Sequence, residues 1–453
     1  MNRLVVVSNR VAQPREARAG GLASAMQAAL EQCGGLWFGW SGRIVDEADA
    51  TPRMERAGRI DYALVDLTRS DHDEYYLGFA NRTLWPLLHF RPSLLDYHRG
   101  DFAGYQRVNA AFARQLAPLL RDDDVVWIHD YHLIPLGAEL RALGVGARIG
   151  FFLHVPVPPP ALLAVLPHHE QLFPKLAAYD LVGLQTWRDR DALLAYFRER
   201  DASTGADGNV ELPDGRRFEI AAFPIGIDAV KVAEQARKAA GSPATARLVR
   251  SLEGRKLVIG VDRLDYSKGL PQRFEAFGRF LARHAAWRAR VSFLQIAPPS
   301  REQVQEYRDL RSRLERLAGA TNGRYAEPDW VPIRYVNRSF TQGTLAGFYR
   351  VADIGLVTPL RDGMNLVAKE YVASQPPEDP GVLVLSSFAG AADELAEAII
   401  INPLDPEDIV ESLEHALSMP LAERRERWAA MFERVSRNDI AAWRQAFLER
   451  LAG

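Results

Sequence analysis

The octapeptide RLDYSKGL, residues 263–270, puts two cations, Arg263 and Lys268, in a loop that directly follows the apolar run LVIGVD. Pro271 comes next and suits the first turn of a helix, which RFEAFGRFLARH then continues. A guanidinium, an ammonium and the free N–H groups of a helix start all favour an anion. The competing reading is a wet basic turn, paired internally with Asp262 or Asp265. A second loop of the same kind weighs against it. TPLRDGMNLVAKEYVASQ, residues 358–375, also follows an apolar run. Its RDGMN turn carries Asp362 at the tip and Gly363, which is free to take unusual dihedrals. Glu370 lies four residues beyond Leu366, on the same helical face. A carboxylate there can accept from both hydroxyls of a ribose whose phosphates lie at the helix end. Taken alone, Glu370 reads just as well as a surface helix residue.

The N-terminal half holds further candidates. SNR (8–10) places Arg10 at a strand tip, and Gly20 and Gly21 precede a helical pattern, where they allow either a close phosphate approach or an ordinary turn. DEYYLGFANRTLWPLLHF (73–90) carries Tyr76 and Trp85, and WIHDYHLIP (127–135) carries Asp130 after a strand. Rings beside a carboxylate suit a sugar, whose C–H faces stack and whose hydroxyls need acceptors. Core packing for Trp85 and a turn role for Asp130 are the plainer alternatives. FFLHVPVPPP (151–160) puts His154 at the end of an apolar strand, facing a cleft or packed in the core. His129 with His132, and His168-His169-Glu170, lack a supporting ligand set, so no metal is expected. Asp122, Asp123 and Asp124 precede their strand and read as a solvated turn.

These motifs need a scaffold, and the pattern supplies one. Short β-rich runs at 4–9, 36–40, 62–67, 124–130, 148–155 and 181–186 alternate with helical patterns. A second series at 257–264, 292–297, 332–337, 353–359, 381–387 and 398–403 does the same. Such alternation predicts α/β domains with parallel sheets, and ligands beyond the carboxyl ends of the strands. The stretch 229–255 reads as a linker and surface helix, and 201–218 as a loop and hairpin outside the core. With 453 residues, two domains facing a cleft are expected. A net charge of -2 speaks against polyanion binding, and Cys33 as sole cysteine excludes a disulfide within the chain and a Cys-based zinc site. No signal peptide or spanning segment is read, so a cytoplasmic protein is the plain expectation.

The chain resembles one family, the trehalose-6-phosphate synthases, retaining glycosyltransferases of the GT-B architecture. The resemblance rests on VVVSNR, GGLWFGWSG (34–42), EYYLGFANRTLWP, WIHDYHL, RLDYSKGLPQRF, APPSR (297–301) and TPLRDGMNLVAKEYVASQ, in that order, and runs from about residue 3 to about 450. It implies an α/β fold of two Rossmann-like doubly wound parallel-sheet domains facing a central cleft. Residues 1–235 would form the acceptor domain, 245–438 the donor domain, and 439–453 a helix crossing back. By resemblance, Arg263 and Lys268 bind the nucleotide diphosphate and Glu370 the ribose. Leu366 and Val367 offer backbone N–H groups within a donor segment that continues through Ala368 and Lys369. Gly20, beside Gly21, approaches the donor. Asp362, Gly363, Met364 and Asn365 hold the donor glucose, with His154 near the reacting sugar. Arg10, Tyr76 and Arg301 hold the phosphate of glucose 6-phosphate, and Trp40, Trp85 and Asp130 shape the acceptor pocket. The implied catalytic set is Arg263, Lys268, Asp362, His154 and Asp130.

The implied reaction moves glucose from a nucleotide donor, UDP-glucose first, to glucose 6-phosphate, giving α,α-trehalose 6-phosphate. It needs no metal and no cofactor, since the nucleotide sugar is a co-substrate. The partners are these small molecules, not nucleic acid or membrane, and a homo-oligomer (dimer or tetramer) is compatible with the chain. One departure concerns Gln342, where some members carry Arg on the donor side; Arg338 is the nearby cation, and the donor base (UDP, GDP or ADP) is left open. The loop between Arg10 and Gly20 is also slightly shorter than in some relatives. Two other readings keep the fold: a pseudo-glycosyltransferase joining an activated cyclitol to an aminocyclitol phosphate, and a catalytically silent sugar-phosphate-binding regulatory subunit.

Overall fold

The computed structural model describes residues 3–11, 26–27, 30–31, 33–301 and 303–453. The chain divides into two compact units, one of residues 1–224 with 441–453, the other of residues 225–440.

In the first unit ten strands form one sheet: β1 (Leu4–Arg10), β2 (Gly35–Val45), β3 (Arg53–Ala57), β4 (Ile60–Thr68), β5 (Val125–His129), β6 (Arg148–Phe152), β7 (Leu181–Leu184), β8 (Ser203–Thr204), β9 (Asn209–Glu211) and β10 (Arg217–Ala222). Their order is β3-β4-β2-β1-β5-β6-β7-β10-β9-β8. The run from β4 to β10 is parallel, and β3, β9 and β8 are antiparallel additions at the edges. The central strands are buried along most of their length, as apolar runs covered on both faces must be. The hairpin expected to stand outside the core joins the sheet instead. In RFEIAA, Phe218 and Ile220 alternate inward, and β10 pairs in parallel with β7. The helix Ile440–Ala452 closes this unit from the far end of the chain. Its Phe447 ring lies nearly parallel to Trp127, 4.7 Å away. Gly150 on β6 and Gly183 on β7 make room for it: a Cβ at either position would come within 2.9 Å of the Phe447 ring.

The second unit holds β11 (Lys256–Val261), β12 (Val291–Ile296), β13 (Ile333–Val336), β14 (Ile354–Val357), β15 (Val382–Ser386) and β16 (Ile399–Ile401), all parallel, in the order β13-β12-β11-β14-β15-β16. This is the doubly wound order, and the strand sequence reverses between β11 and β14. The corresponding reversal in the first unit falls between β1 and β5. The segment 229–255 is two helices, Ala229–Ala239 and Pro243–Leu252, and both group with the second unit. Among the described residues no helix is long and apolar enough to cross a membrane.

Candidate active site

In the second unit the RLDYSKGL loop leaves β11 and the TPLRDGMN loop leaves β14, the two strands that flank the reversal. The first loop is shaped by Asp265, whose carboxylate accepts from the Ser267 N–H at 2.9 Å. Gly269 then turns at φ +66°, and the helix Leu270–Arg283 follows. A Cβ on Gly269 would stand 2.1 Å from the Thr358 carbonyl oxygen, so only glycine lets the loops abut here. The Leu360 N–H donates to the Ser267 carbonyl at 2.7 Å and joins the two backbones.

Across this junction the Lys268 ammonium donates to Asp362 at 2.5 Å. Asn365 donates to the same carboxylate oxygen at 3.0 Å, and its own Oδ1 caps the helix Leu366–Ser374 by accepting from the Ala368 N–H at 3.2 Å. Asn365 does so in the left-handed region, at φ +80°, which Asn tolerates better than most residues. The N–H groups of Leu366 and Val367, ahead of the capped Ala368, have no acceptor within the helix. Gly363 and Met364 are buried beneath them, and Arg263 is exposed at the rim. Glu370, one turn in, is half-buried, and burial pushes its carboxyl up to about 7.

Neither acid proposed above as an internal partner of the loop is left to play only that part. Asp262 accepts from Arg273 at 2.8 Å, and the fully buried Arg273 also donates to Gln295 and Thr358. Asp265 accepts from Tyr307 at 3.1 Å and pairs with Arg301 at 3.5 Å. Lys369 is the exception within the donor segment. Its fully buried ammonium donates to Glu394 at 2.5 Å and to the Ile225 carbonyl at 2.8 Å, so its side chain is engaged away from the Asp362 loop and only its main chain belongs to that face. Gln342 is the exposed first residue of the helix Gln342–Arg350, capped by Thr341, and Arg338 lies over the Phe340 ring.

In the first unit Arg10 ends β1, Trp40 lies within β2, Tyr76 and Trp85 follow β4, Asp130 follows β5 and His154 follows β6. The Arg10 guanidinium lies 5.9 Å from the Trp40 ring centre, and Gly42 leaves room for it. Trp40, His72 and Tyr76 form a triangle of rings with centres 5.4–5.6 Å apart, and His132 stacks on Tyr76 at 5.8 Å. Tyr76 is presented by a π-helix, His72–Leu84, a wound form that recurs at functional sites. Trp85 is buried against His89 and Tyr131.

Asp130, just past β5, adopts φ 76°, ψ 164°, a combination that is essentially glycine's own. Its Oδ1 accepts from the His154 N–H at 3.3 Å. His154 is half-buried at the end of β6, and the surrounding protein lowers its imidazole to about 3, so it is neutral at physiological pH. Gly20 and Gly21 lie outside the described residues. Asp124, read above as solvated, is buried and takes a two-pronged contact from Arg3 at 2.6 and 2.9 Å. Among the described residues no group of three or more His, Cys, Asp or Glu is placed to hold a metal ion. His129 turns to His154 while His132 stacks on Tyr76.

The family model for glycosyltransferase family 20 matches residues 3–453. The chain belongs to glycosyltransferase family 20. It is similar to trehalose-6-phosphate synthase of Sinorhizobium fredii (strain NBRC 101917 / NGR234), with 50% identity covering 100% of this chain and 98% of that protein. Among solved structures it is similar to an α,α-trehalose-phosphate synthase (UDP-forming) from Burkholderia xenovorans in complex with glucose-6-phosphate (TM-score 0.96, 48% identity, 100% of each chain covered). It is likewise similar to the E. coli protein described as trehalose-6-phosphate bound with UDP-2-fluoro glucose (TM-score 0.95, 46% identity, 99% of this chain and 98% of that one). The two parallel-sheet α/β units are thus the GT-B architecture of a family 20 glycosyltransferase.

Several buried polar residues beside these groups carry no sequence signal that marks them. Arg273 stands in the quoted PQRF but reads as a surface helix residue, because an i+3/i+4 pattern does not reveal a buried guanidinium. Tyr307 and Gln185 carried no motif at all. The sequence offers His129 only as a metal-ligand candidate.

Proposed function

We propose that the chain is an α,α-trehalose-phosphate synthase that transfers glucose from UDP-glucose to glucose 6-phosphate with retention at C1. The single observation that carries this reading is the Lys268–Asp362 junction at the strand reversal of the second unit, with Arg263 at its rim and an open helix start beside it. It is supported by membership of glycosyltransferase family 20 and by the ligands named for the solved relatives, glucose-6-phosphate and UDP-2-fluoro glucose.

In this reaction the C1–O bond to the diphosphate breaks and C1 bonds to the anomeric oxygen of glucose 6-phosphate. Positive charge grows on the sugar and negative charge on the leaving UDP. Lys268, Arg263 and the first-turn N–H groups of Leu366 and Val367 stabilise the latter without reorganising, which is where fixed dipoles and cations act most strongly. This set takes the part that a divalent ion takes elsewhere, so the reaction runs without added metal. Glu370 accepts from the ribose, and Asp362, held by Lys268 and Asn365, accepts from donor-glucose hydroxyls. Arg10 and Tyr76 bind the acceptor phosphate, with Trp40, Trp85 and Asp130 around its sugar, and Arg301 is a further cation for that phosphate. The acceptor proton passes to a diphosphate oxygen on the face of attack. Both substrates carry charge that keeps them inside a membrane-bounded compartment, which supports a cytoplasmic location.

The test is a panel of UDP-, GDP-, ADP- and TDP-glucose offered with glucose 6-phosphate, with and without chelator, and the product read by NMR. A 1,1-linked α,α disaccharide phosphate formed fastest from UDP-glucose, with chelator present, is expected. Absence of disaccharide phosphate from every donor sinks the reading and favours cyclitol coupling or a silent binding role.

A further inference from the structure

His154 is held on both ring nitrogens by groups that the reaction as described does not use. Its Nε2 lies 3.1 Å from Nδ1 of His129, and its Nδ1 lies 3.3 Å from the amide nitrogen of Gln185. His129, at the end of β5, and Gln185, just past β7, are both 1% exposed. Two neutral imidazoles that share one hydrogen bond have two arrangements, since either ring can be the donor.

The surroundings of His129 choose between them. Its Nε2 is buried with no oxygen or nitrogen partner, and its ring packs among aromatic neighbours, with ring centres 4.6 Å from Trp127 and 6.4 Å from Phe152. An N–H can rest against aromatic faces, whereas a lone pair there meets like charge. His129 therefore carries its proton on Nε2 and accepts at Nδ1, and His154 donates from Nε2. The Gln185 amide agrees, because its N–H then meets the bare Nδ1 of His154. At 3.3 Å that bond is long and readily replaced.

We propose that His129 and Gln185 are positioning residues that hold His154 as the Nε2–H tautomer, so that its Nδ1 lone pair accepts a hydroxyl of the transferred sugar. The inference rests on the glucosyl-transfer reading above for the identity of that sugar, but the proton placement stands on this file of three residues alone.

The test is 15N NMR of histidine-labelled protein, with the two signals sets assigned by their loss in H129Q and H154Q. The wild type is expected to show His154 protonated at Nε2 and bare at Nδ1. In H129L, which has no acceptor, that preference is lost, and kcat falls about tenfold while KM for glucose 6-phosphate stays within about twofold, the size of one lost hydrogen bond. H129N, whose side-chain oxygen can stand near the Nδ1 position, recovers most of the loss. A wild-type His154 protonated at Nδ1 overturns the proposal, as does an unaltered tautomer in H129L. Should the wild type make no disaccharide phosphate at all, the function reading fails, while the tautomer measurement still decides the proton placement.

Discussion

The Lys268 ammonium meets the Asp362 carboxylate at 2.5 Å, linking the loop after β11 to the loop after β14 at the point where strand order reverses. Both side chains are largely buried, so the contact is shielded from solvent. In the proposed reaction a diphosphate arriving here finds an ammonium already aimed. K268A should lower kcat about 10²–10³-fold, the usual loss of one such electrostatic donor. Asp362 keeps Asn365 as a partner, so thermal unfolding should move by only a few degrees. Near-normal turnover in K268A would remove Lys268 from the leaving-group role.

Glu370 connects pH to both stability and binding. Burial raises its carboxyl from the ordinary 4.5 to about 7. Between those values the folded chain holds the proton more tightly than the unfolded chain. The group's stabilising contribution is therefore complete below about 4.5 and lost as pH rises through about 7. E370Q has no charge to desolvate. It should match the wild type near pH 4.5 and exceed it above pH 7, by on the order of 1–2 kcal/mol in denaturant titrations. The same variant should bind UDP more weakly, having lost the stronger acceptor for the ribose. A gap that widens toward acid pH would show that Glu370 is not the buried acid described.

Much of this arrangement was legible in the sequence, for a physical reason. Strands of a parallel sheet are covered on both faces, so β1, β5, β11 and β14 appear as unbroken apolar runs, and the residues just after them are the ones at the sheet's carboxyl edge. Strand β3, RMERA, was not legible: it is an exposed edge strand with neither an apolar run nor alternation. Strand β10 alternates, but the Asp- and Gly-rich stretch 201–218 before it reads as loop and hairpin and takes in its first two residues. Arg273 and Lys369 show the other limit. Each lies in a helix at a spacing that suits solvent, and only the fold brings Asp262 and Glu394 to them.

Asp130 invites a test of strain. At φ 76°, ψ 164° it occupies backbone space that costs a non-glycine residue about 1–3 kcal/mol. D130G and D130A both remove the carboxylate that accepts from the His154 N–H, so both should raise KM for glucose 6-phosphate. Only D130G relieves the backbone. It should be more stable than D130A by about that 1–3 kcal/mol in paired denaturation curves. Equal stability of the two variants would mean the dihedral is not strained in the protein.

Arg301, proposed above to hold the acceptor phosphate, is also tied to the loop that carries Lys268. Its side chain is 8% exposed, and its guanidinium donates to the Tyr307 hydroxyl at 2.6 Å and pairs at 3.5 Å with the wholly buried Asp265. Tyr307 in turn donates to Asp265, which shapes the loop through the Ser267 N–H. Removing Arg301 thus has two separable effects. The first is loss of a phosphate partner: R301A should raise KM for glucose 6-phosphate at least about tenfold, with kcat less affected. The second is a buried carboxylate left without its cation. Complete loss of a buried partner costs about 3–5 kcal/mol, and the bonds from Tyr307 and Ser267 keep Asp265 below that, so about 1–3 kcal/mol of destabilisation is expected. The double variant R301A/D265N discharges the orphaned acid while keeping an acceptor for Ser267. It should regain part of the lost stability and none of the lost acceptor affinity. If KM recovers together with stability, Arg301 supports the loop and does not touch the acceptor phosphate.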